Sequence, residues 1–368
     1  MSEPQTERIS SIDYFRAIAI FSVILIHTQP CQGVFSKVLK GDTSHILGGV
    51  IELTINQCVR FAVPFFYLMA GYFYGSRSAS LDGTKGRQAS YLKRILMIWI
   101  FWSFLYLLLL LVSPRGMYFY GEVNYLERML AIKAFYDDNP ISLLMIGGNL
   151  WFFPALIAAL LVVEFFHRIK MHDAVLPMAG LLYGIVLLSS SYTMESDWSY
   201  LNTVLAAVKV PKIKNIEVVY VYINGLLYTS IGVWLSVKKI TVSRRLSLII
   251  AAAGLAFSVL EVFFMHYFTD VNPTDVVFLI GTIPLVTALA TLAIANPEIG
   301  RGSLLARCGR YTLGIYVCHV IFIRWLWPMR GMIGRPQWDL IYPVGVWLLS
   351  LMLVLLLSRI AWLKRLVL

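Results

Sequence analysis

Arg16 and His27 stand eleven residues apart in the stretch RISSIDYFRAIAIFSVILIHTQP, most of which is apolar. On a helix, eleven steps of about 100° bring the two side chains within about 20° of one another, and a rise of 1.5 Å per residue separates them by about 16 Å. That is about half the thickness of a bilayer's hydrocarbon core. An imidazole can take a proton from a hydroxyl near neutral pH. A guanidinium is matched to phosphates and carboxylates. Ionisable groups inside an apolar helix are costly, so each is a functional candidate. Two plainer readings stand beside this one. Arg16 can snorkel to lipid phosphate, and His27 can be a polar cap at the interface.

Other polar residues sit in apolar surroundings. In CVRFAVPFFYLMAGYFYG, Pro64 follows Arg60 by four residues, and its ring displaces the Arg60 carbonyl from the helix ladder. A guanidinium beside a freed carbonyl fits a cavity wall better than a lipid face. Gly71 and Gly75 have the spacing that allows close helix contact. His319 lies about eight residues into its apolar segment, either in a cavity or packed, and Glu261 lies mid-segment. His266 follows Glu261 by five residues, about 140° round a helix, so the two do not share a face. Trp151 opens a helix, where an indole either sits at the interface or stacks on a sugar. The cysteines Cys31, Cys58, Cys308 and Cys318 form no CxxC, and no His or Cys has metal-ligand spacing. No Ser-His-Asp or Cys-His set is apparent, which favours direct transfer over a covalent enzyme intermediate.

The elements that must hold these residues are membrane helices. Of the 368 residues, 59% are apolar and 14% charged, with a mean hydropathy of +0.74. An ordinary soluble domain carries roughly 25% charge. The apolar runs are continuous and do not alternate, which excludes a transmembrane β-barrel. Ten segments are predicted, at roughly 12–29, 48–75, 91–112, 149–166, 174–191, 218–237, 246–268, 274–294, 311–328 and 339–361. The chain therefore reads as an all-α polytopic membrane protein, with residues 1–368 as one domain. The first run begins near Ile12 with Asp13 and Arg16 and lacks a small-residue cleavage site, so it is expected to be a retained helix. With the N-terminus inside, Lys and Arg divide 19 to 10 in favour of the cytoplasmic side. The positive-inside rule then places both termini in the cytoplasm. It also accounts for the net charge of +11 without nucleic acid. Two outer connections, 113–148 and 192–217, are longer than a turn needs.

RAIAIFSVILIH, at Arg16 to His27, resembles the Arg-x10-His first helix of the integral-membrane acyltransferase 3 family. RFAVPFFYLMAGYF resembles the family's second helix, with Ala70 where the family usually has serine. YLKRILMIWIFWSFLY resembles the basic start of the third, with Met97 where a further basic residue is often found. NLWFFPALIAAL resembles a later Leu-Trp-Phe opening, and GRYTLGIYVCHV resembles a Ser/Thr-x-x-Ile-Tyr-x-x-His signature through Thr312, Tyr316 and His319. The matches keep family order from residue 12 to 320 and are most similar to the surface-polysaccharide O-acetyltransferase branch.

The resemblance implies transfer of an acyl group, usually acetyl from acetyl-CoA, to a hydroxyl of a cell-envelope glycan or lipid-linked glycan in a bacterial inner membrane. Acetyl-CoA is then a co-substrate, with no bound cofactor or metal. The expected donor-binding set is Arg16, Arg60, Arg77, Lys93 and Arg94. The expected catalytic set is His27, His319 and Glu261, and Trp151 is the expected acceptor contact. The partners are the bilayer, acyl-CoA and the glycan. A transporter or flippase of a glycan precursor would also need intramembrane charges, but transporters often carry paired broken helices. Only one clear proline-broken segment stands in this sequence.

Overall fold

The computed structural model describes residues 9–41, 43–78, 84–112, 150–190, 216–269, 273–274 and 279–368. The connection 113–148 and nearly all of 192–217 lie outside the described residues. Fourteen α-helices are described: α1 (Ser10–Thr28), α2 (Val34–Leu39), α3 (Ile46–Val59), α4 (Ala62–Ser78), α5 (Thr84–Val112), α6 (Phe152–Arg168), α7 (Val175–Ser190), α8 (Ile216–Val237), α9 (Arg244–Thr269), α10 (Thr282–Ala295), α11 (Leu304–Gly309), α12 (Thr312–Leu326), α13 (Arg335–Leu357) and α14 (Ala361–Val367). No strand occurs among the described residues.

Among the described residues, seven helical spans are long and apolar enough to cross a membrane: Ser10–Thr28, Ile46–Ser76 (α3 and α4 together), Ala89–Leu109, Val219–Val237, Arg244–Phe268, Thr312–Met332 and Arg335–Leu357. His172–Leu188 and Thr282–Ala295 are shorter apolar helices. The chain is thus a multi-pass, all-α membrane protein. Large apolar side chains such as Phe104, Leu181, Leu260 and Leu348 face outward. In lipid this exposure carries no hydrophobic penalty, and the helical backbone satisfies its own polar groups.

The second apolar segment does not run as one helix. It breaks between α3 and α4 at Arg60 and Phe61. Pro64 is the reason, since it lacks an N–H and its ring crowds the Arg60 carbonyl.

α1 lies in the middle of the bundle, with Ala17, Ala19, Ile20, Val23 and Ile24 almost fully buried. It packs against α3, α4, α10, α11, α12 and α13. The segment joining α10 to α12 wraps its Arg16 end. The Ser11 hydroxyl donates to the Ala293 carbonyl at 2.5 Å, and the Ser11 N–H donates to the Pro297 carbonyl at 3.3 Å. Gly309 touches the Asp13 backbone so closely that a Cβ there would lie 2.0 Å from the Asp13 carbonyl oxygen.

The tightest helix crossing joins α4 to α8. A Cβ on Gly71 would lie 2.1 Å from the Thr229 carbonyl oxygen, and one on Gly232 would lie 1.9 Å from that of Leu68. The spacing of Gly71 and Gly75 therefore does bring backbones together, with Gly232 supplying the opposite half.

Candidate active site

α12 starts beside Asp13, where the Thr312 hydroxyl donates to the Gly309 carbonyl at 2.9 Å. It then runs alongside α1 toward the His27 end. Tyr106 of α5 holds it by donating to the Val317 carbonyl at 2.8 Å, and Tyr342 of α13 holds it by donating to the Ile323 carbonyl at 2.7 Å. This packing carries His319 to His27, with the ring centroids 5.3 Å apart and the planes tilted by 40°.

The two histidines differ in environment. His319 is fully buried, and its Nδ1 lies 2.7 Å from the Tyr316 carbonyl. A carbonyl only accepts, so Nδ1 carries the proton and Nε2 keeps its lone pair. Among the described residues, that buried Nε2 has no hydrogen-bond partner. His27 is exposed and so can be reached from outside the bundle. The site thus pairs an accessible imidazole with a buried one whose tautomer is fixed. Arg324 of α12 lies close enough to His27 for its charge to act on that ring. Its position inside an apolar segment was the available signal for a role at the site.

The remaining motif residues form the wall behind the pair. The Tyr316 ring lies 5.9 Å from that of His319 and 5.4 Å from that of Phe152. Phe152 stacks on Tyr67 at 4.5 Å, and the Tyr67 hydroxyl donates to the Phe152 carbonyl at 3.5 Å. Three stretches distant in sequence therefore meet around one aromatic cluster. Trp151, beside Phe152 at the start of α6, is half-buried against the core. Tyr67 is the member that sequence reasoning passed over, because an apolar run gives no hint of which phenol faces inward.

The expected donor set does not come together as one cluster. Arg16 sits at the wrapped end of α1, its Nη1 3.4 Å from the Asp13 carboxylate. Arg301, Arg307 and Arg310 stand exposed on the wrapping segment and add positive charge at that end. Arg77 lies in the last turn of α4, and its side chain is outside what is described. Arg60 is elsewhere. It donates to Asn56 and, at 2.8 Å, to the Thr274 carbonyl, so it pins the segment before α10 to the α3–α4 break. The far end of α10 is what meets Ser11, so Thr274 lies at the end of the bundle away from Arg16. Lys93 and Arg94 are exposed on α5, which packs against α4, α6 and α14.

Glu261 also departs from the catalytic set. Its carboxylate accepts the Ile280 N–H at 2.8 Å and the Gly281 N–H at 3.0 Å. It therefore caps the N-terminus of α10, where backbone donors lack partners and the helix dipole favours an anion.

A model of the family described as an acyltransferase domain matches residues 9–363. The chain belongs to the acyltransferase 3 family. The chain is similar to an amino-acid racemase of Enterococcus faecalis, 27% identical over 341 residues that make up 86% of this chain and 41% of that protein. It is also similar to a serine/alanine racemase of Enterococcus gallinarum, 30% identical over 154 residues that make up 41% of this chain and 19% of that protein. The chain thus spans less than half the length of the curated relatives it matches. No solved structure matches it.

Proposed function

We propose that this acyltransferase moves an acyl group, acetyl in the simplest case, from acyl-CoA to a hydroxyl of a cell-envelope glycan or lipid-linked glycan. The His27–His319 pair, whose His27 shares α1 with Arg16, is the observation that carries this reading. The anionic donor is held at the Arg16 end, where the arginines of the wrapping segment reinforce the charge. Its thioester arm extends along the Arg16–His27 face of α1, a span of about 16 Å. The acceptor hydroxyl meets it at His27, with Trp151 available to stack on the sugar.

His27 takes the hydroxyl proton as the oxygen attacks the thioester carbon. The C–S bond then breaks, and the proton passes to the departing thiolate. His319 acts behind it: its unpartnered Nε2 lone pair accepts a hydrogen bond from the His27 ring as the imidazolium forms, which orients and supports that cation. His319 is thus a positioning residue and His27 the catalytic one. Donor entry at Arg16 places both termini on the cytoplasmic face of a bacterial inner membrane. An impermeant thiol reagent checks this orientation. A cysteine placed in the 79–83 connection should react only after the cells are opened, and reaction in intact cells reverses the assignment.

Mass spectrometry of envelope glycans from cells with and without the gene tests the reaction. The expected result is a loss of one acetyl mass per modified sugar when the gene is absent, and identical spectra sink the proposal. The same comparison with serine and alanine derivatives covers the amino-acid chemistry in the relatives' names.

Arg16→Ala removes a charge-assisted contact worth about 1.5–3 kcal/mol. Acetyl-CoA binding to the purified variant should weaken about 10- to 150-fold. Unchanged affinity would move the donor site away from Arg16.

A further inference from the structure

The start of α5 and the terminal helix α14 enclose a groove of about 600 Å³. Lys93 and Arg94 line it from α5, and Lys364 and Arg365 line it from α14. Ser90 and Met97 complete the α5 wall, and among the described residues no acidic side chain lines the groove. α14 is anchored from within. Leu366 and Val367 are buried, and the Trp102 indole donates to the Leu366 carbonyl at 3.2 Å. Its outer face carries both cations together with Trp362, which is 61% exposed and meets Phe101 edge-on at 6.1 Å. A short helix with buried aliphatics, an exposed indole and outward cations suits the boundary between headgroups and acyl chains.

The groove opens onto an apolar stripe. Lys93, Met97, Ile100 and Phe104 follow one another at intervals of four, three and four residues, which places them on one face of α5. Ile100 is 57% and Phe104 59% exposed. Cations therefore stand at the foot of a lipid-facing stripe that a hydrocarbon chain can follow. A soluble anion would use the charges and leave the stripe idle, whereas an amphiphile uses both.

We propose that this groove is a binding site for an anionic phospholipid, its phosphate among Lys93, Arg94, Lys364 and Arg365 and an acyl chain along Met97, Ile100 and Phe104. The site is separate from the His27–His319 pair and does not depend on which acceptor the enzyme uses.

Native mass spectrometry of the full chain, released from vesicles of equal phosphatidylglycerol and phosphatidylcholine, tests the proposal. The wild-type protein should retain phosphatidylglycerol in preference to phosphatidylcholine. Each basic residue near an anionic headgroup contributes to binding, so Lys364→Gln or Arg365→Gln should lower retention about fivefold, and the double variant about 25-fold. The swapped pair Lys364→Arg with Arg365→Lys keeps the charge and should retain the lipid, which separates loss of charge from a disturbed α14. Equal retention of the two lipids, or unchanged retention in the double glutamine variant, overturns the proposal. So does displacement of the lipid by acetyl-CoA whose own affinity falls in the same variants, because the groove would then belong to the donor.

Discussion

His27→Ala should insert and fold as the wild type does and lose about 10²–10⁴-fold in acyl-transfer rate, the usual worth of a general base. His27→Gln is the sharper variant. The amide still hydrogen-bonds to a neighbouring ring but cannot take a proton at neutral pH, so it should fail to a similar degree. Turnover measured at matched protein amounts, with acetyl-CoA consumption as the readout, decides the matter. Near-normal turnover in His27→Gln would make His27 a polar cap and shift the base elsewhere. His319→Phe keeps an aromatic ring and removes Nε2. It should cost about 10- to 150-fold, the worth of one hydrogen bond to a charged group. That loss should fall on kcat and spare acetyl-CoA affinity, because His319 acts through His27 and not on the donor.

Gly232→Ala and Gly71→Ala should each destabilise the whole bundle, although alanine is ordinarily the better helix former. The new Cβ of either variant would fall about 2 Å from a carbonyl oxygen of the facing helix, so α4 and α8 must separate. Overpacking of this kind costs about 1–3 kcal/mol and occasionally more, and here it meets rigid backbone and not a movable side chain. Separation also loses the contact on which helix association in lipid depends, since no hydrophobic effect draws the helices together there. Gly180→Ala on α7 is the matched control. Nothing lies within 4 Å of its Cβ position, so it should leave the unfolding midpoint unchanged or slightly raised. A fluorescence-monitored thermal melt in detergent reads all three. Equal midpoints across them would mean that the α4–α8 contact does not hold the bundle together.

Much of the architecture was legible because a bilayer leaves a chain few choices. Continuous apolar runs of membrane length must be helices, since only a helix satisfies its own backbone in hydrocarbon. Pro64 fixed the place of the α3–α4 break through a local clash. The shared face of Arg16 and His27 followed from helical periodicity alone, as did the close-contact spacing of Gly71 and Gly75.

Side-chain partnership was not legible, because it depends on how helices far apart in sequence are set against one another. Nothing local to α12 places His319 against His27, which lies 292 positions earlier in the chain. The Tyr316 carbonyl that fixes the His319 tautomer belongs to the same helix, but the approach of α1 is what turns a packed histidine into half of a pair. The same dependence reassigned two charges. Glu261 looked like a cavity carboxylate until the start of α10 was seen to supply two backbone donors to it. Arg60 looked like a donor contact until the segment before α10 was seen to take its hydrogen bond. A buried charge must be met by something, so sequence could identify these residues as consequential. Which group meets each one is a property of tertiary packing, because the Thr274 carbonyl and the Ile280 and Gly281 amides come from segments outside the charge's own helix.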